Sequence, residues 1–348
     1  MRIAIDAMGG DFGPETVVSG AVDGARLFAT AITLTGSKDV IDRELAKLDL
    51  DGLDIAIIDT PEAVEMDESP AMAVRKKPRS SINLALQEVR TGSALGMVSA
   101  GNSGAVLASA FMTLGRIPGI ERPALLTRLP SPRTDALLLD LGAVVEPKAS
   151  NIVEFAYMAK IYREKTTGRR DPSIGLLSNG EESSKGNALT LQAHELLAAE
   201  TALNFHGNVE GKDLLAGVVD IIVTDGFSGN IALKTIEGVI ASYNELIEQQ
   251  LNASPFRKRI AGKVVREALE NAHTIMDYAE IGGAPLLGVN GAVVVCHGRS
   301  SRRAMCNAVG MSLSLARLGV VSEIAAAMSA RTANPPESLP LGSSASVS

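Results

Sequence analysis

Asp225-Gly226-Phe227-Ser228-Gly229-Asn230 follows the apolar run Gly217–Thr224 and leads into Ile231-Ala232-Leu233-Lys234. A buried strand that ends in glycines lets a ligand approach the backbone closely. The helix that follows offers unpaired N–H groups in its first turn, which favour an anion. Similar turns recur at Met8-Gly9-Gly10-Asp11-Phe12-Gly13-Pro14 and at Ser99-Ala100-Gly101-Asn102-Ser103-Gly104. Several such turns in one chain point to phosphate or an oxyanion as the ligand.

The turns carrying Gly10 and Asp11 and carrying Gly101, Asn102 and Ser103 are expected to line one cleft. Asn102 or Ser103 would then hold phosphate through a helix N-terminus, against the plainer role of capping that helix. His297 ends a strand before Gly298, so it either faces ligand or is an imidazole bonded to backbone. The four histidines lie far apart in the chain and form no HExxH pairing, and two cysteines make neither a disulfide framework nor a four-thiolate metal site. Glu181 and Glu182 have no second acidic cluster beside them. They are expected to orient Lys185 or to face solvent, and no metal or other cofactor is expected.

Aromatic residues make up 3% of the chain, Trp is absent and the net charge is -7. That composition disfavours nucleic acid as a partner, since neither base-stacking rings nor a basic surface is supplied. Met1-Arg2-Ile3-Ala4-Ile5-Asp6 reads as a first strand and not as a signal peptide. No stretch approaches the ~20 apolar residues of a membrane span, which leaves a cytoplasmic protein that can still touch a membrane.

Strand and helix patterns alternate from the start. Strands are expected at Arg2–Ala7, Ala31–Thr35, Asp54–Ile58, Leu95–Ser99, Leu125–Arg128, Ala136–Leu141, Ser173–Leu177, Val218–Val223 and Ala292–Val295. Helices are expected at Pro14–Phe28, Lys38–Lys47, Ile82–Thr91, Ser103–Leu114, Asn151–Lys165, Ala188–Leu197 and Arg302–Leu318. This order argues for an α/β fold, with a mostly parallel sheet between helical layers, as a single domain over 1–330. Residues 331–348 are Pro- and Ser-rich and read as a disordered tail. A segment at about 250–275 departs from the pattern. Phe256, Ile260 and Val264 fall on one apolar stripe at helical spacing, and Arg257, Lys258, Arg259, Lys263 and Arg266 fall on the other face. Such a helix suits an anionic membrane surface, an acidic protein, or a second copy of the chain.

A dinucleotide site is disfavoured. Met8-x-Gly10-x-x-Gly13 lacks the first glycine of the fingerprint, and the second strand ends in Thr35-Gly36-Ser37 without the ribose-binding acid.

In order along the chain, further motifs are Gly180-Glu181-Glu182 with Lys185-Gly186-Asn187, then Gly207-Asn208-Val209-Glu210-Gly211, then Gly282-Gly283-Ala284-Pro285-Leu286-Leu287-Gly288-Val289-Asn290-Gly291 and His297-Gly298. Together with the three turns, they make the chain resemble the bacterial phosphate acyltransferase family, the acyl-carrier-protein:phosphate transacylases of phospholipid synthesis. The resemblance runs from residue 1 to about 328. It departs at Val144-Val145-Glu146-Pro147-Lys148 and at Ser178-Asn179, which touches peripheral contacts. It implies a three-layer α/β/α sandwich of the isopropylmalate-dehydrogenase/phosphotransacetylase kind, assembled as a homodimer. It also implies transfer of a fatty acyl group from acyl carrier protein to inorganic phosphate. The acyl phosphate would pass to a downstream glycerol-3-phosphate acyltransferase, with the protein peripherally attached to the inner face of the membrane.

The residues suit that reaction. Phosphate is already an anion, so it needs positioning more than deprotonation, and the lack of a Ser-His-Asp or Cys-His constellation is no obstacle. Lys185 matches the family's catalytic lysine by resemblance. Asn230 can donate its amide to the oxyanion while the Gly229 and Asn230 N–H groups face the ligand, against the alternative of a helix N-cap. Other readings are a phosphotransacetylase-like enzyme using acyl-CoA, and a non-enzymatic membrane-surface binding protein.

Overall fold

Alternation of side chains along the strands builds two cores, one on each face of a single sheet. In β1 (Arg2–Asp6) Ile3 and Ile5 enter one core while Ala4 enters the other. In β6 (Ala136–Leu139) Leu137 and Leu139 oppose Ala136 and Leu138 in the same way, and in β11 (Ala292–Val295) Ala292 and Val294 oppose Val293 and Val295. Helices therefore cover both faces, because a sheet with two apolar sides must be buried on both. The computed structural model describes residues 1–129, 131, 134–252 and 282–333.

The remaining strands are β2 (Ala31–Gly36), β3 (Ile55–Asp59), β4 (Gly96–Ser99), β5 (Ala124–Leu129), β7 (Ser173–Leu177), β8 (Asn204–Val209), β9 (Ile221–Val223) and β10 (Ala284–Leu287). Helices α1 (Gly13–Leu27), α2 (Lys38–Leu45), α6 (Ala149–Thr167), α7 (Ala188–Ala199), α9 (Arg302–Arg317) and α10 (Val320–Ala333) pack on the first core. Helices α3 (Pro70–Lys76), α4 (Ser81–Thr91), α5 (Ser103–Leu114) and α8 (Gly226–Asn252) pack on the second. This is the expected α/β/α sandwich.

The eleven strands run in the order β3-β2-β1-β4-β11-β10-β5-β6-β9-β7-β8. Two parallel blocks, β3-β2-β1-β4-β11 and β6-β9-β7-β8, are joined through antiparallel pairings of β10 with β11, β10 with β5, and β5 with β6. Three reversals leave the blocks running in opposite senses. Their carboxyl-terminal turns therefore do not share one sheet edge, as they would in an all-parallel sheet.

Strands β5 and β6, both expected from their apolar runs, pair antiparallel as a hairpin. Helices α3 and α10 and strands β8 and β10 were not among the expected elements. Helix α10 extends to Ala333, three residues into the expected tail, and is fixed by Arg331, whose guanidinium binds the buried Glu200 carboxylate at 2.6 Å. The rest of that tail, 334–348, lies outside the described residues, as does 253–281 with Phe256, Ile260 and Val264. Helix α8 leaves the sandwich. Beyond Leu233 none of its described side chains is buried, and Val239, Tyr243 and Leu246 are exposed. No single described helix is long and apolar enough to cross a membrane.

Candidate active site

Lys185 stands on the loop between β7 and α7, and the loop is tied at three points. Its own N–H donates to Glu182 O at 3.0 Å, and Ser178 Oγ donates to Lys185 O at 3.4 Å. Asn187 then caps α7 by accepting from Thr190 N at 2.9 Å. A second layer holds the loop from below. Asn208 is buried and donates Nδ2–H to Glu182 O at 2.9 Å, while its Oδ1 meets His194 Nδ1 at 2.9 Å. The Lys185 ammonium is exposed on this tied loop and has no ion-pair partner among the described residues.

A cleft of about 520 Å³ opens beside it, lined by Ser178, Asn179, Gly186, Asn187, Thr190, Asp225 and Ser228 among others. Two helix N-termini, those of α7 and α8, border it. That polar lining with a free cation at its rim suits an anionic reactant. Asn208→Ala is expected to loosen the loop: kcat falls ~10-fold and the 178–187 segment becomes sensitive to limited proteolysis. Unchanged cleavage and unchanged kcat would remove Asn208 from this role.

The start of α8 is built differently from the expectation. Asp225, and not Asn230, is the cap: its Oδ1 accepts from Ser228 N at 2.8 Å. The Gly229 N–H is spent on Asp225 O at 3.0 Å and so does not face a ligand. Gly226 and Gly229 admit a neighbouring loop instead. A Cβ on Gly226 would lie 2.6 Å from Asp140 Oδ2, and one on Gly229 would overlap the Asp140 carbonyl oxygen. Asn230 is exposed one turn into the helix, beside Gly142 of that same loop.

Asp140 organises this junction, and the sequence reading missed it. The carboxylate is fully buried. Oδ1 accepts from Leu125 N, Leu141 N and Ala143 N at 2.9, 2.6 and 3.2 Å, and Oδ2 accepts from Val144 N at 2.7 Å. Burial pushes the Asp140 carboxyl up to about 6, and these four N–H groups pull the other way. The available signal was Asp140 alone in the apolar run Ala136–Leu141 with a glycine two residues on.

The turns after β1, β4 and β11 form a second neighbourhood. Asp6 is buried beneath them and was likewise missed. It accepts from Ser99 Oγ at 2.6 Å and Met8 N at 3.2 Å, and burial raises its carboxyl pKa against those bonds. Gly9 presses so closely on Gly101 that a Cβ on Gly9 would overlap the Gly101 nitrogen. Asp11, after Gly10, donates its N–H to Gly298 O at 2.7 Å and faces the Arg299 guanidinium at 3.6 Å. Asn102 is committed to the fold: Oδ1 caps α5 through Ala105 N at 3.1 Å, and Nδ2 reaches Met66 O at 3.0 Å and Glu68 O at 2.9 Å. Capping is thus its observed role. Ser103 is exposed at the first turn of α5.

None of Gly10, Asp11, Gly101, Asn102 or Ser103 lines the 520 Å³ cleft. The two neighbourhoods meet through α8, where Lys234 Nζ lies 3.4 Å from His297 Nε2. The imidazole also has the backbone bond expected of a structural histidine, Arg299 N to Nδ1 at 3.1 Å.

The Glu181, Glu210 and Asp213 carboxylates lie within 4.8 Å of one another. Lys212 sits among them, 2.9 Å from Glu181 and in contact with Glu210, so a cation of the chain itself pairs with two of the three. Glu181 therefore pairs with Lys212 and not with Lys185.

The model of a family described as fatty acid synthesis protein matches residues 1–323. A phosphate acyltransferase of Nitratidesulfovibrio vulgaris is 44% identical over 310 residues, 89% of this chain and 90% of that one. One from Geobacter sulfurreducens is 43% identical over 328 residues, 94% of each. Among solved structures, a phosphotransacetylase from Streptococcus pyogenes aligns with a TM-score of 0.61 at 20% identity, covering 91% of this chain and 94% of that one. The EutD phosphotransacetylase from Staphylococcus aureus gives 0.58 at 16%, with 91% and 94% covered. At such identities these two likenesses concern the fold.

Proposed function

The chain belongs to the phosphate acyltransferase family, and from that premise we propose that it moves a fatty acyl group from acyl carrier protein to inorganic phosphate. The observation that carries this reading is the tied loop that presents the unpaired Lys185 ammonium at a polar cleft between two helix N-termini. A phosphate oxygen attacks the thioester carbonyl carbon. The carbonyl oxygen becomes an oxyanion, and its collapse expels the carrier sulfur as a thiolate, which takes a proton from solvent. Lys185 supplies positive charge to the anionic reactant or to the developing oxyanion, and Asn230 supplies a neutral donor from the neighbouring helix. A preorganised donor of this kind lowers the barrier by ~3 kcal/mol.

The product would feed phospholipid synthesis through an acyltransferase that uses acyl phosphate and glycerol 3-phosphate. An acyl phosphate with a long chain is poorly soluble, and attachment of this enzyme to an anionic membrane surface would keep it beside its consumer. The exposed apolar side chains on the outer part of α8, Val239, Tyr243 and Leu246, support a homodimer or lipid contact at that end. Phe256, Ile260 and Val264 fall on an apolar stripe in the sequence beside five basic residues, and Ile260→Asp is expected to cut liposome binding while activity in a soluble assay stays within about twofold.

The test is release of carrier thiol from a long-chain acyl carrier thioester with and without phosphate, run beside acyl-CoA. Phosphate-dependent release that falls ~100-fold in Lys185→Ala and in Asn230→Ala, with melting temperatures near wild type, is the expected result. Turnover of acyl-CoA alone would replace the carrier with coenzyme A. Full activity in Lys185→Ala would remove the lysine.

A further inference from the structure

Inside the cleft of about 520 Å³ stands a carboxylate, where its Lys185 rim alone would suggest an anion site. Asp225 is half-buried in the lining, and only one of its oxygens is engaged. Oδ1 accepts the Ser228 N–H at 2.8 Å, and Oδ2 has no partner among the described residues. The Ser228 hydroxyl and the exposed Asn179 amide line the same cleft, and their side-chain polar atoms are likewise unpartnered among those residues. The first turn of α8 thus takes its anion from the chain itself, and α7 is capped by the Asn187 side chain.

This lining sorts the parts of an acyl thioester and its acceptor. A bare phosphate set against Asp225 meets like charge, and the helix end that would have favoured it is already occupied. A fatty chain finds one apolar side chain, Leu177, among the described lining residues. An uncharged chain of amides finds both kinds of partner. Asp225 Oδ2 accepts an amide N–H in a charge-assisted bond, and Ser228 Oγ and Asn179 Nδ2 donate to amide carbonyls. The volume falls in the range of small-ligand sites. We propose that this cleft holds the amide-linked pantetheine arm that bears the thioester sulfur, that Asp225 selects it, and that phosphate is left to the Lys185 rim. The arm is common to acyl carrier protein and coenzyme A, so the assignment concerns the shared part of either donor. It rests on the acyl-transfer reading and deepens it by giving the cap of α8 a second task. One oxygen of Asp225 fixes the helix that carries Asn230, and the other fixes the arm that carries the reacting carbonyl, so a single side chain positions both.

The experiment uses the full chain with pantetheine alone as the probe, read by calorimetry, followed by turnover of a long-chain acyl carrier thioester and of acyl-CoA. Asp225→Asn is the informative variant, because Asn keeps an oxygen for the Ser228 N–H and caps a helix as well as Asp does. It is expected to unfold near the wild-type temperature and to bind pantetheine at least ~10-fold more weakly. KM rises by a similar factor for every donor that the wild type turns over, while KM for phosphate stays level or falls. Ser228→Ala leaves the capped N–H in place and is expected to weaken pantetheine binding about fivefold. A residue that served only as a cap would move none of these values in the Asn variant. Equal pantetheine binding by wild type and Asp225→Asn, or none by wild type, overturns the assignment. So does a KM rise confined to phosphate, or to one donor where the wild type uses both. A wild type that binds pantetheine through Asp225 yet shows no phosphate-dependent thiol release would sink the transferase reading and leave the arm site standing. Phosphate-dependent release with every KM unchanged in Asp225→Asn would do the reverse.

Discussion

Gly229→Ala is expected to reduce phosphate acyl transfer at least ~100-fold and to lower the melting temperature by several degrees. The added Cβ would overlap the Asp140 carbonyl oxygen and meet Thr224 Cγ2 at 2.9 Å. Neither neighbour is a flexible side-chain end. The carbonyl belongs to the residue whose carboxylate fixes the 140–144 loop, and Thr224 ends a central strand region that is fully buried. The helix must therefore move away from the loop, carrying Asn230 and Lys234 with it. Overpacking of this kind costs roughly 1–3 kcal/mol, and a displacement of about 1 Å at a reacting group is enough for a hundredfold loss. Gly238→Ala is the matched control, because a Cβ there meets nothing within 4 Å and favours the helix by ~1 kcal/mol. Similar losses in both variants would mean that α8 is sensitive to any substitution, and the close contact with Asp140 would not be the cause.

The same pair of glycines marks where the sequence was readable and where it was not. Strand–turn–helix order announced the α/β sandwich, because apolar runs such as Ile221–Val223 and Ala292–Val295 have no other stable place than a sheet covered on both faces. Glycine types in the turns announced close approach, but not what approaches. At Gly226 and Gly229 the visitor is the Asp140 loop, and at Gly9 it is Gly101, so glycines read as ligand-facing serve first to lock turns together. The turns after β1 and β4 do meet, Gly9 against Gly101. The cleft beside Lys185 lies apart from them because the antiparallel pairings of β10 and β5 set the two parallel blocks in opposite senses, and the residues of β10, Ala284-Pro285-Leu286-Leu287, gave no period-2 signal against polar neighbours. Asn102 shows the converse. Its type and position fit capping and phosphate binding equally well, and only the carbonyls of Met66 and Glu68, more than thirty residues away, decide between them. Lys185 was singled out by resemblance alone, and the Asn208 and His194 side chains that tie its loop down come from elements that local sequence does not connect.

Asp140→Ala is expected to destabilise the chain by about 4 kcal/mol, the largest effect of any single polar substitution near the site. Four backbone N–H groups lose their acceptor. Those of Ala143 and Val144 lie on a partly exposed stretch and can turn to water, but Leu125 and Leu141 are buried. Two orphaned buried donors at ~1–3 kcal/mol each account for the estimate. The Asn variant separates shape from charge. It keeps an oxygen for the Leu125, Leu141 and Ala143 donors and turns an NH₂ toward the Val144 N–H, so it too is destabilised. Its pH dependence has a defined sign. The wild-type carboxyl is raised from 3.8 to about 6 by burial, so the folded state holds the proton more tightly than the unfolded chain. Its contribution to stability is present below the unfolded value and is lost as pH rises through the folded one, a change of about 3 kcal/mol. Asn has no such proton. The wild-type advantage over Asp140→Asn, read from denaturant unfolding, should therefore be greatest near pH 4 and shrink toward pH 7. An advantage that grows with pH would mean that the four N–H groups outweigh burial and that the loop is built around a carboxylate at every pH where the enzyme works. The first outcome makes Asp140 a proton-holding strut and the second a fixed negative charge behind α8.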